Sequence, residues 1–192
     1  MRERSRHVIR TSIDGFHRPK AERYARGRFS PEGYYHDARD LAAIVTLLLA
    51  PLGRNGDRCY RTASFDLATD RPIAQSPCMA PRDAILIVDG TFLQRPELRD
   101  EWDLAVFVDT SESVAEQRGI IRDAVQLGSA DTARDLYARR YRPACDFYDR
   151  ACTPAVRADV VIGNDDFARP VLHLRPGGRL VSPTPGRRQV QF

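Results

Sequence analysis

Apolar residues occur along the chain in two patterns, as short continuous runs and as longer stretches at helical spacing. The short runs lie at 7–13 (HVIRTSI), 84–88 (AILIV), 104–108 (LAVFV) and 159–162 (DVVI), and Asp or Gly follows each one. Runs of this length that are rich in β-branched residues and end at turn residues are typical of strands in a parallel sheet. We therefore predict four strands, whose carboxyl ends lie at residues 14, 89, 109 and 163.

Helical spacing predicts helices at 37–49, at 111–127 and at 131–150, the last interrupted near Pro143. Residues 16–37 are polar, aromatic and broken by proline and glycine, which predicts a long loop of functional importance. Strands that alternate with helices indicate an α/β protein with a parallel sheet. In such sheets, ligands bind beyond the carboxyl ends of the strands.

The length of 192 residues suits one compact domain. We expect that domain to occupy 1–172, and we expect the Pro/Gly/Arg-rich stretch at 173–192 to be a disordered basic tail. The longest apolar run, 41–52, is shorter than the roughly 20 residues that a membrane-spanning helix needs. No apolar segment of the signal-peptide kind follows the first residues, so we expect a cytoplasmic protein.

The net charge is +4, and the basic excess is almost entirely arginine because Lys20 is the only lysine. Arginine forks onto phosphate oxygens, so the excess could serve anionic substrates; composition bias and a solvated surface explain it equally well. The arginines are scattered, without a basic stripe interleaved with aromatic residues, so nucleic-acid binding is not expected. The four cysteines form no C-x-x-C pair, and neither a zinc site nor a disulfide framework is predicted.

Four side chains could carry chemistry. Asp14 and Asp89 each end a predicted strand and precede a glycine, and two such carboxylates could accept a hydroxyl proton and hold Mg²⁺. Arg118 and Arg122 lie four residues apart on one helical face, where they could clamp a phosphoryl group. Simple Asp-Gly turns and a solvated helix face would produce the same patterns.

Longer strings make the phosphoryl-transfer interpretation more specific. The string SIDGFHRPKAERYARGRFSPEGYYHDARD resembles the acceptor-binding segment of bacterial uridine kinase-like proteins, with a D-x-F-H/Y motif followed by S-P-x-G-Y-Y. The strings YRTASFDLATDRP, ILIVDGTFLQRPELRDEWD, VFVDTSESVAEQRGIIRD and YARRYRPACDFYDRACTPAVRADVVIGNDD resemble later segments of the same family. The resemblance covers about residues 7–172 in unbroken order.

The resemblance implies a P-loop NTPase fold and ATP-dependent, Mg²⁺-requiring phosphorylation of a nucleoside hydroxyl, on uridine or cytidine. It implies that Asp14 accepts the proton of the attacking hydroxyl, and that Asp89 lies near the metal. Arg118 and Arg122 would contact phosphates, and Asn164 would lie near the nucleotide base. The acceptor would be held by the remaining matched positions, Phe16, His17, Tyr34, Tyr35, Phe65 and Asp66.

One family feature does not occur in the printed sequence. The loop G-x-x-x-x-G-K-S/T cradles phosphates through its backbone N–H groups and its lysine, but Lys20 lies in FHRPKAE, without that glycine pattern. The resemblance also implies a first strand between the runs at 84–88 and 104–108, so without it these strands should face a gap. We therefore expect the fold to lack its first strand and phosphate loop, with Met1 an internal start of a longer reading. The other two outcomes are a sheet that closes up and a slot that another segment or chain fills.

These expectations leave three functions open. The first is a uridine kinase-like enzyme that is inactive, or nearly so, as the present chain alone. The second is a non-catalytic remnant that binds a nucleoside or a partner protein. The third is a kinase for another small acceptor, such as pantothenate or a sugar. The oligomeric state is not predicted.

Overall fold

The computed structural model describes residues 6–176 and 178–181. Its strands, in chain order, are β1 (Val8–Ser12), β2 (Cys59–Tyr60), β3 (Phe65–Asp66), β4 (Arg71–Pro72), β5 (Cys78–Met79), β6 (Ile85–Asp89), β7 (Val106–Asp109), β8 (Val160–Gly163) and β9 (Val171–Leu174). Its helices are α1 (Lys20–Arg23), α2 (Pro31–Asp37), α3 (Leu41–Ile44), α4 (Ala50–Leu52), α5 (Glu112–Leu127), α6 (Ala130–Leu136), α7 (Arg142–Cys152) and α8 (Pro154–Arg157). The α/β class predicted from the sequence is confirmed, and no helix among the described residues is both long and apolar enough to cross a bilayer.

The four predicted strands form two parallel pairs. Strands β1 and β6 pair in parallel, with Ser12 opposite Asp89 at their carboxyl ends. Strands β7 and β8 also pair in parallel, with Asp109 opposite Gly163. Among the described residues, β6 pairs only with β1. Strand β7 pairs only with β8, and the other edge of β8 pairs with β9. This is the separation that the sequence led us to expect between the runs at 84–88 and 104–108.

Strand β9 was not predicted. It pairs antiparallel with β8 and lies at the start of the stretch expected to be a disordered tail, so residues up to Leu174 belong to a sheet. Its sequence VLHL is short and lies between Pro170 and Arg175, which explains why pattern alone did not reveal it. The rest of the tail prediction, from residue 182 onwards, lies outside the described residues.

The main core lies against one face of β1 and β6. Its fully buried side chains are Ile13, Phe16, Ile44, Leu48 and Leu98, and the β6 residues Leu86 and Val88 pack against them. Full burial of such a side chain stabilises the fold by about 1.5–3 kcal/mol. The helical stretch that begins with α3 therefore anchors this sheet.

The helix predicted at 37–49 begins and ends later than expected. Asp40 caps α3 by accepting a hydrogen bond from the backbone N–H of Ala43 (2.9 Å), and the stretch continues through a π-helical segment, Val45–Leu49, into α4. Pro51 does not stop it, because the carbonyl oxygen of Leu47, which proline cannot bond, accepts instead from the backbone N–H of Arg61 (2.7 Å). The helix ends instead at Gly53.

The long loop predicted at 16–37 is wrong in part, because it contains α1 and α2. Ser30 caps α2, accepting from the N–H of Gly33 (3.0 Å), and Pro31 occupies the first helical position. This Ser-Pro-Glu start is a known helix signal, which the neighbouring glycines obscured.

Helix α5 confirms the prediction at 111–127, and Gly128 ends it with a left-handed backbone (φ 86°). The helix predicted at 131–150 consists of α6, a π-helical segment (Tyr137–Tyr141) and α7, so the expected interruption directly precedes Pro143. A second buried cluster, which contains Tyr35, Phe92 and Tyr148, joins α2 to α7. This cluster holds α2 over the carboxyl ends of β1 and β6.

Candidate active site

A pocket of about 310 Å³ opens beyond the carboxyl ends of β1 and β6. Residues from five parts of the chain line it: the turn after β1, helix α2 and the turn after it, the turn after β3, the loop after β6, and the helices that follow β7. The lining residues are Asp14, His17, Tyr34, Arg39, Leu67, Thr91, Arg122, Asp123, Tyr137, Tyr141 and Cys145. The structure thus brings four of the predicted site residues together, namely Asp14, His17, Tyr34 and Arg122.

Asp14 lies in the 3₁₀ turn that directly follows β1. The hydroxyl of Ser12 accepts a hydrogen bond from its backbone N–H (3.2 Å), which fixes the start of the turn. Its side chain is 64% exposed, and its Oδ1 accepts a hydrogen bond from the guanidinium of Arg39 (2.5 Å). Its Oδ2 has no hydrogen-bond partner among the described residues and is available to accept a proton in the pocket.

His17 is almost fully buried in the pocket wall. Its Nδ1 lies 2.8 Å from the carbonyl oxygen of Asp14, so Nδ1 carries the hydrogen and donates, and Nε2 is left as an acceptor. Burial, followed by the positive charge of Arg39, lowers the pKa of His17 to about 4. The imidazole is therefore neutral near pH 7 and offers a hydrogen-bond acceptor without charge.

A hydrogen-bonded triad on α5 and the π-helical segment forms the opposite wall. Arg122 donates to Asp123 (2.7 Å), and the hydroxyl of Tyr137 donates to the same carboxylate (2.9 Å). The bond from Arg122, which outweighs burial, lowers the pKa of Asp123, while burial and the bond to Asp123 raise the pKa of Tyr137. Gly119 makes room for this tyrosine, because a Cβ at that position would clash with its ring.

Three tyrosines give the pocket an aromatic side. The rings of Tyr34 and Tyr141 lie 4.8 Å apart, and those of Tyr137 and Tyr141 lie 5.0 Å apart. The guanidinium of Arg140 lies 4.9 Å from the Tyr34 ring, which holds that ring in place from behind. Aromatic walls of this kind suit a flat, partly polar ligand.

Two predicted residues lie together, but not in the pocket. Arg118 donates to the backbone carbonyl oxygens of Asn164 (2.7 Å) and Asp165 (2.5 Å), and it stacks on Phe167 (3.8 Å). Arg118 and Asn164 therefore form a contact between α5 and the loop after β8. The two arginines expected to act as one clamp bind different parts of the protein in this structure.

The remaining predicted acceptor residues lie behind the pocket lining. Phe16 and Phe65 are buried in the interior, and Tyr35 is buried in the aromatic cluster, where its hydroxyl lies 3.6 Å from Cys152 Sγ. Asp66 closes the turn after β3 by accepting from Ala68 N and Thr69 Oγ1. Neither Phe65 nor Asp66 lines the pocket, but Leu67, the residue that follows them, does.

Asp89 is exposed at the carboxyl end of β6, two residues before the pocket residue Thr91. Gly90 follows with φ 156°, and a Cβ there would overlap the side chain of Ile13. The described residues contain no group of three or more His, Cys, Asp and Glu side chains that could hold a metal ion alone. Mg²⁺ in phosphoryl transfer commonly takes one or two carboxylates together with substrate phosphates, and Asp89 fits that requirement.

Several pocket residues were missed from the sequence. Tyr137 and Tyr141 lie in the matched string that begins YARRY, and their spacing of four residues is the helical signal that could have placed them on one face. Arg39 and Asp123 lie at the ends of two of the matched strings, and nothing in their local pattern reveals which side of the molecule they face. Thr91 lies in the D-G-T-F-L string and could have been inferred from the strand end.

A second depression of about 410 Å³ lies between the helical stretch that begins with α3 and the segments that flank β3 and β4, near Leu47, Arg61 and Gln75. Its one ionisable side chain, Arg61, donates to the backbone carbonyl oxygen of Gln75 (2.7 Å). It therefore lacks the free acid, base and arginine groups of the first pocket.

Parallel strand pairs with a pocket of carboxylate, arginine and tyrosine side chains at their carboxyl ends define an α/β protein of the parallel-sheet class, with its candidate site where such sheets bind ligands. A solved structure described as a possible uridine kinase from Bacillus stearothermophilus matches with a TM-score of 0.60 and 24% identity, over 81% of this chain and 71% of that one. This match confirms the predicted α/β fold with parallel strands.

A sequence match points to the same family. Uridine kinase-like protein 5 of Arabidopsis thaliana is 30% identical over 110 residues, which is 55% of this chain. The matched region spans 23% of the plant protein, about a quarter of its length. No family model matches the chain. Both matches show that the chain is similar to uridine kinase-like proteins.

Proposed function

We propose that this chain supplies the acceptor site of an ATP-dependent kinase that phosphorylates a hydroxyl group of a nucleoside, with uridine and cytidine as the first candidates. The observation that carries the proposal is the shared pocket, in which Asp14 and Arg122 face an aromatic-lined space of about 310 Å³. A carboxylate, a cation and an aromatic wall are the groups that a nucleoside acceptor requires. The proposed location is the cytoplasm, where nucleosides and ATP occur together.

In the proposed reaction, Asp14 Oδ2 accepts the proton of the acceptor hydroxyl as that oxygen attacks the γ-phosphorus of ATP in line with the leaving diphosphate. Arg122 stabilises negative charge on the transferred phosphoryl group from the α5 wall. Tyr34 and Tyr141 hold the base of the nucleoside, and His17 Nε2 accepts a hydrogen bond from it. Arg118 would reach phosphates only after leaving the carbonyl oxygens of Asn164 and Asp165.

ATP and Mg²⁺ are the cofactors that the family typically uses. When bound, Mg²⁺ neutralises charge on the phosphate oxygens, and Asp89 is the described carboxylate best placed to hold it. The printed sequence has no G-x-x-x-x-G-K-S/T loop, so a phosphate-binding loop for ATP would have to come from residues outside it.

The test compares two forms of the protein, the printed chain and a longer form with a strand and phosphate-binding loop joined ahead of residue 1. We expect the longer form to phosphorylate uridine or cytidine with ATP-Mg²⁺, and the printed chain to be inactive or nearly so. Pantothenate and simple sugars serve as alternative acceptors in the same assay. Absence of phosphorylation of every acceptor by a folded longer form would contradict a kinase function.

A second function is favoured by the fact that every pocket residue lies between positions 14 and 145 of the chain. Acceptor binding therefore needs no ATP-binding part, and the chain alone could act as a nucleoside-binding protein. Calorimetry with uridine, cytidine and ATP-Mg²⁺ separates the two functions. Nucleoside binding by the longer form without ATP binding supports the non-catalytic alternative.

A further inference from the structure

Arg39 is the one pocket arginine that neither the motifs nor the comparisons assign. A single antiparallel bridge pairs it with His17, and two backbone hydrogen bonds flank that bridge, from Arg18 to Ala38 (3.2 Å) and from Asp40 to Phe16 (2.8 Å). The backbone of Arg39 is thus fixed between the turn after β1 and the cap of α3. Its side chain lines the pocket.

The guanidinium of Arg39 is largely buried, although it lies at the wall of the pocket. Its side chain is 11% exposed, whereas that of its partner Asp14 is 64% exposed. One terminal nitrogen donates to Asp14 Oδ1 at 2.5 Å, and its Nε is buried with no hydrogen-bond partner in the described part of the chain. A buried cation with an unused donor is costly unless its one ion pair is retained.

This ion pair contacts one oxygen of the carboxylate and leaves the other free. A two-point fork would occupy both oxygens of Asp14 and block its role as a base. The single contact instead fixes the rotation of the carboxylate without using Oδ2. The surface pair of Arg26 with Asp37 (2.8 Å) has the same chemistry but lies outside the pocket, with its arginine 56% exposed.

We propose that Arg39 is the positioning residue of this site, which holds Asp14 Oδ1 so that Oδ2 meets the acceptor hydroxyl. The proposal rests on the proposed function of Asp14 as the base. As a positioning residue, Arg39 touches neither the transferred phosphoryl group nor ATP. It acts on the reaction through the orientation of one carboxylate.

The first test is kinetic and uses the longer, ATP-binding form. We expect Arg39→Gln to lower kcat by roughly 10²-fold, since a misplacement of about 1 Å can cost that much, with KM for ATP unchanged. Arg39→Lys keeps the charge and should recover part of that loss. Arg26→Gln is the matched control and should leave kcat unchanged. A folded Arg39→Gln variant with the kcat of the parent protein would overturn the proposal while the kinase function stood.

The second test needs no activity and uses the printed chain. Asp14→Asn, Arg39→Gln and the double variant are unfolded in urea, and the unfolding constants form a double-mutant cycle. We expect the effects to be non-additive by about threefold or more, because each partner loses the same ion pair. Additive effects would show that Arg39 does not hold Asp14. If the longer form phosphorylates no acceptor, this cycle still decides whether the contact exists.

Discussion

Two of the sheets in the described residues, the β1–β6 pair and the β7–β8–β9 sheet, differ in how their apolar residues are covered. One face of the β1–β6 pair lies on a closed core, and the candidate pocket opens at its carboxyl end. In the β7–β8–β9 sheet, Val106 and Val108 are 48% and 55% exposed, and every residue of β9 is exposed. The first sheet thus has a packed interior that can hold a site rigidly, whereas the second presents β-branched surface to solvent.

The strands of the β1–β6 pair are covered on one face only. On β6, Leu86 and Val88 pack inward, but Ile85 and Ile87 on the other face are 37% and 50% exposed. A continuous apolar run predicts cover on both faces. The described residues cover only one face of the β1–β6 pair. Substitutions at covered and at exposed positions should therefore have clearly different effects.

The largest expected effect concerns catalysis at the ends of the two sheets. Asp14→Asn in the longer form should lower kcat by roughly 10²–10⁴-fold, because it removes the general base. The matched control is Asp109→Asn, at the carboxyl end of β7, which lines no part of the pocket. Steady-state assays of uridine phosphorylation measure both. Equal losses of kcat from the two variants would contradict a specific catalytic role for Asp14.

Next in size is the difference in packing. Leu48→Ala should lower the free energy of unfolding by about 2–5 kcal/mol, because Leu48 is fully buried and its removal leaves a cavity. Val108→Ala on the exposed side of β7 should change it by less than about 1 kcal/mol. Urea unfolding followed by circular dichroism measures both values. A comparable loss at Val108 would mean that the β7 face is covered in solution.

The third prediction is a pH dependence that arises at the pocket. The pKa of His17 is lowered to about 4 in the folded protein, so the unfolded chain, with an ordinary pKa near 6.5, binds the proton more readily. Stability should be fully present above pH 6.5 and should fall by up to about 3 kcal/mol as the pH drops to 4. In His17→Gln this part of the dependence should vanish. In Arg39→Gln, NMR titration should give a higher imidazole pKa.

The smallest effect compares two helix starts. Ser30→Ala should destabilise the fold by about 1 kcal/mol, because its hydroxyl caps α2. Ser111→Ala, ahead of α5, should have almost no effect, since its side chain makes no capping bond. Thermal unfolding of the two variants makes the comparison. A reversed order would show that α2 is not held by its cap.

The sequence was sufficient for the regular elements. Strands with continuous apolar runs and a helix with a clear glycine stop, such as α5, were located within two residues of their observed ends. The errors lie where tertiary contacts, rather than the local sequence, determine whether a helix or strand forms. Helix α2 is stabilised by packing on α7 as well as by its cap, and β9 exists only because β8 offers it an edge.

The pocket residues also fall into those that the sequence could locate and those that it could not. Motif strings singled out Asp14, His17, Tyr34 and Arg122, which line one pocket because they lie just after a strand end or on a helix face. They could not show that Phe16 and Tyr35 point away from it, since neighbouring residues in a turn or a helix face different sides. Arg39 could not be found at all, because its role depends on a bridge between two distant turns.

Within the described residues, β6 and β7 each have one edge whose N–H and C=O groups bond to no other strand. An uncovered edge flanked by β-branched side chains is a template on which another strand can add. Samples of this chain should therefore self-associate as the protein concentration rises. Experiments on the isolated protein need dilution series, so that folding and ligand affinity are not confused with strand exchange between molecules.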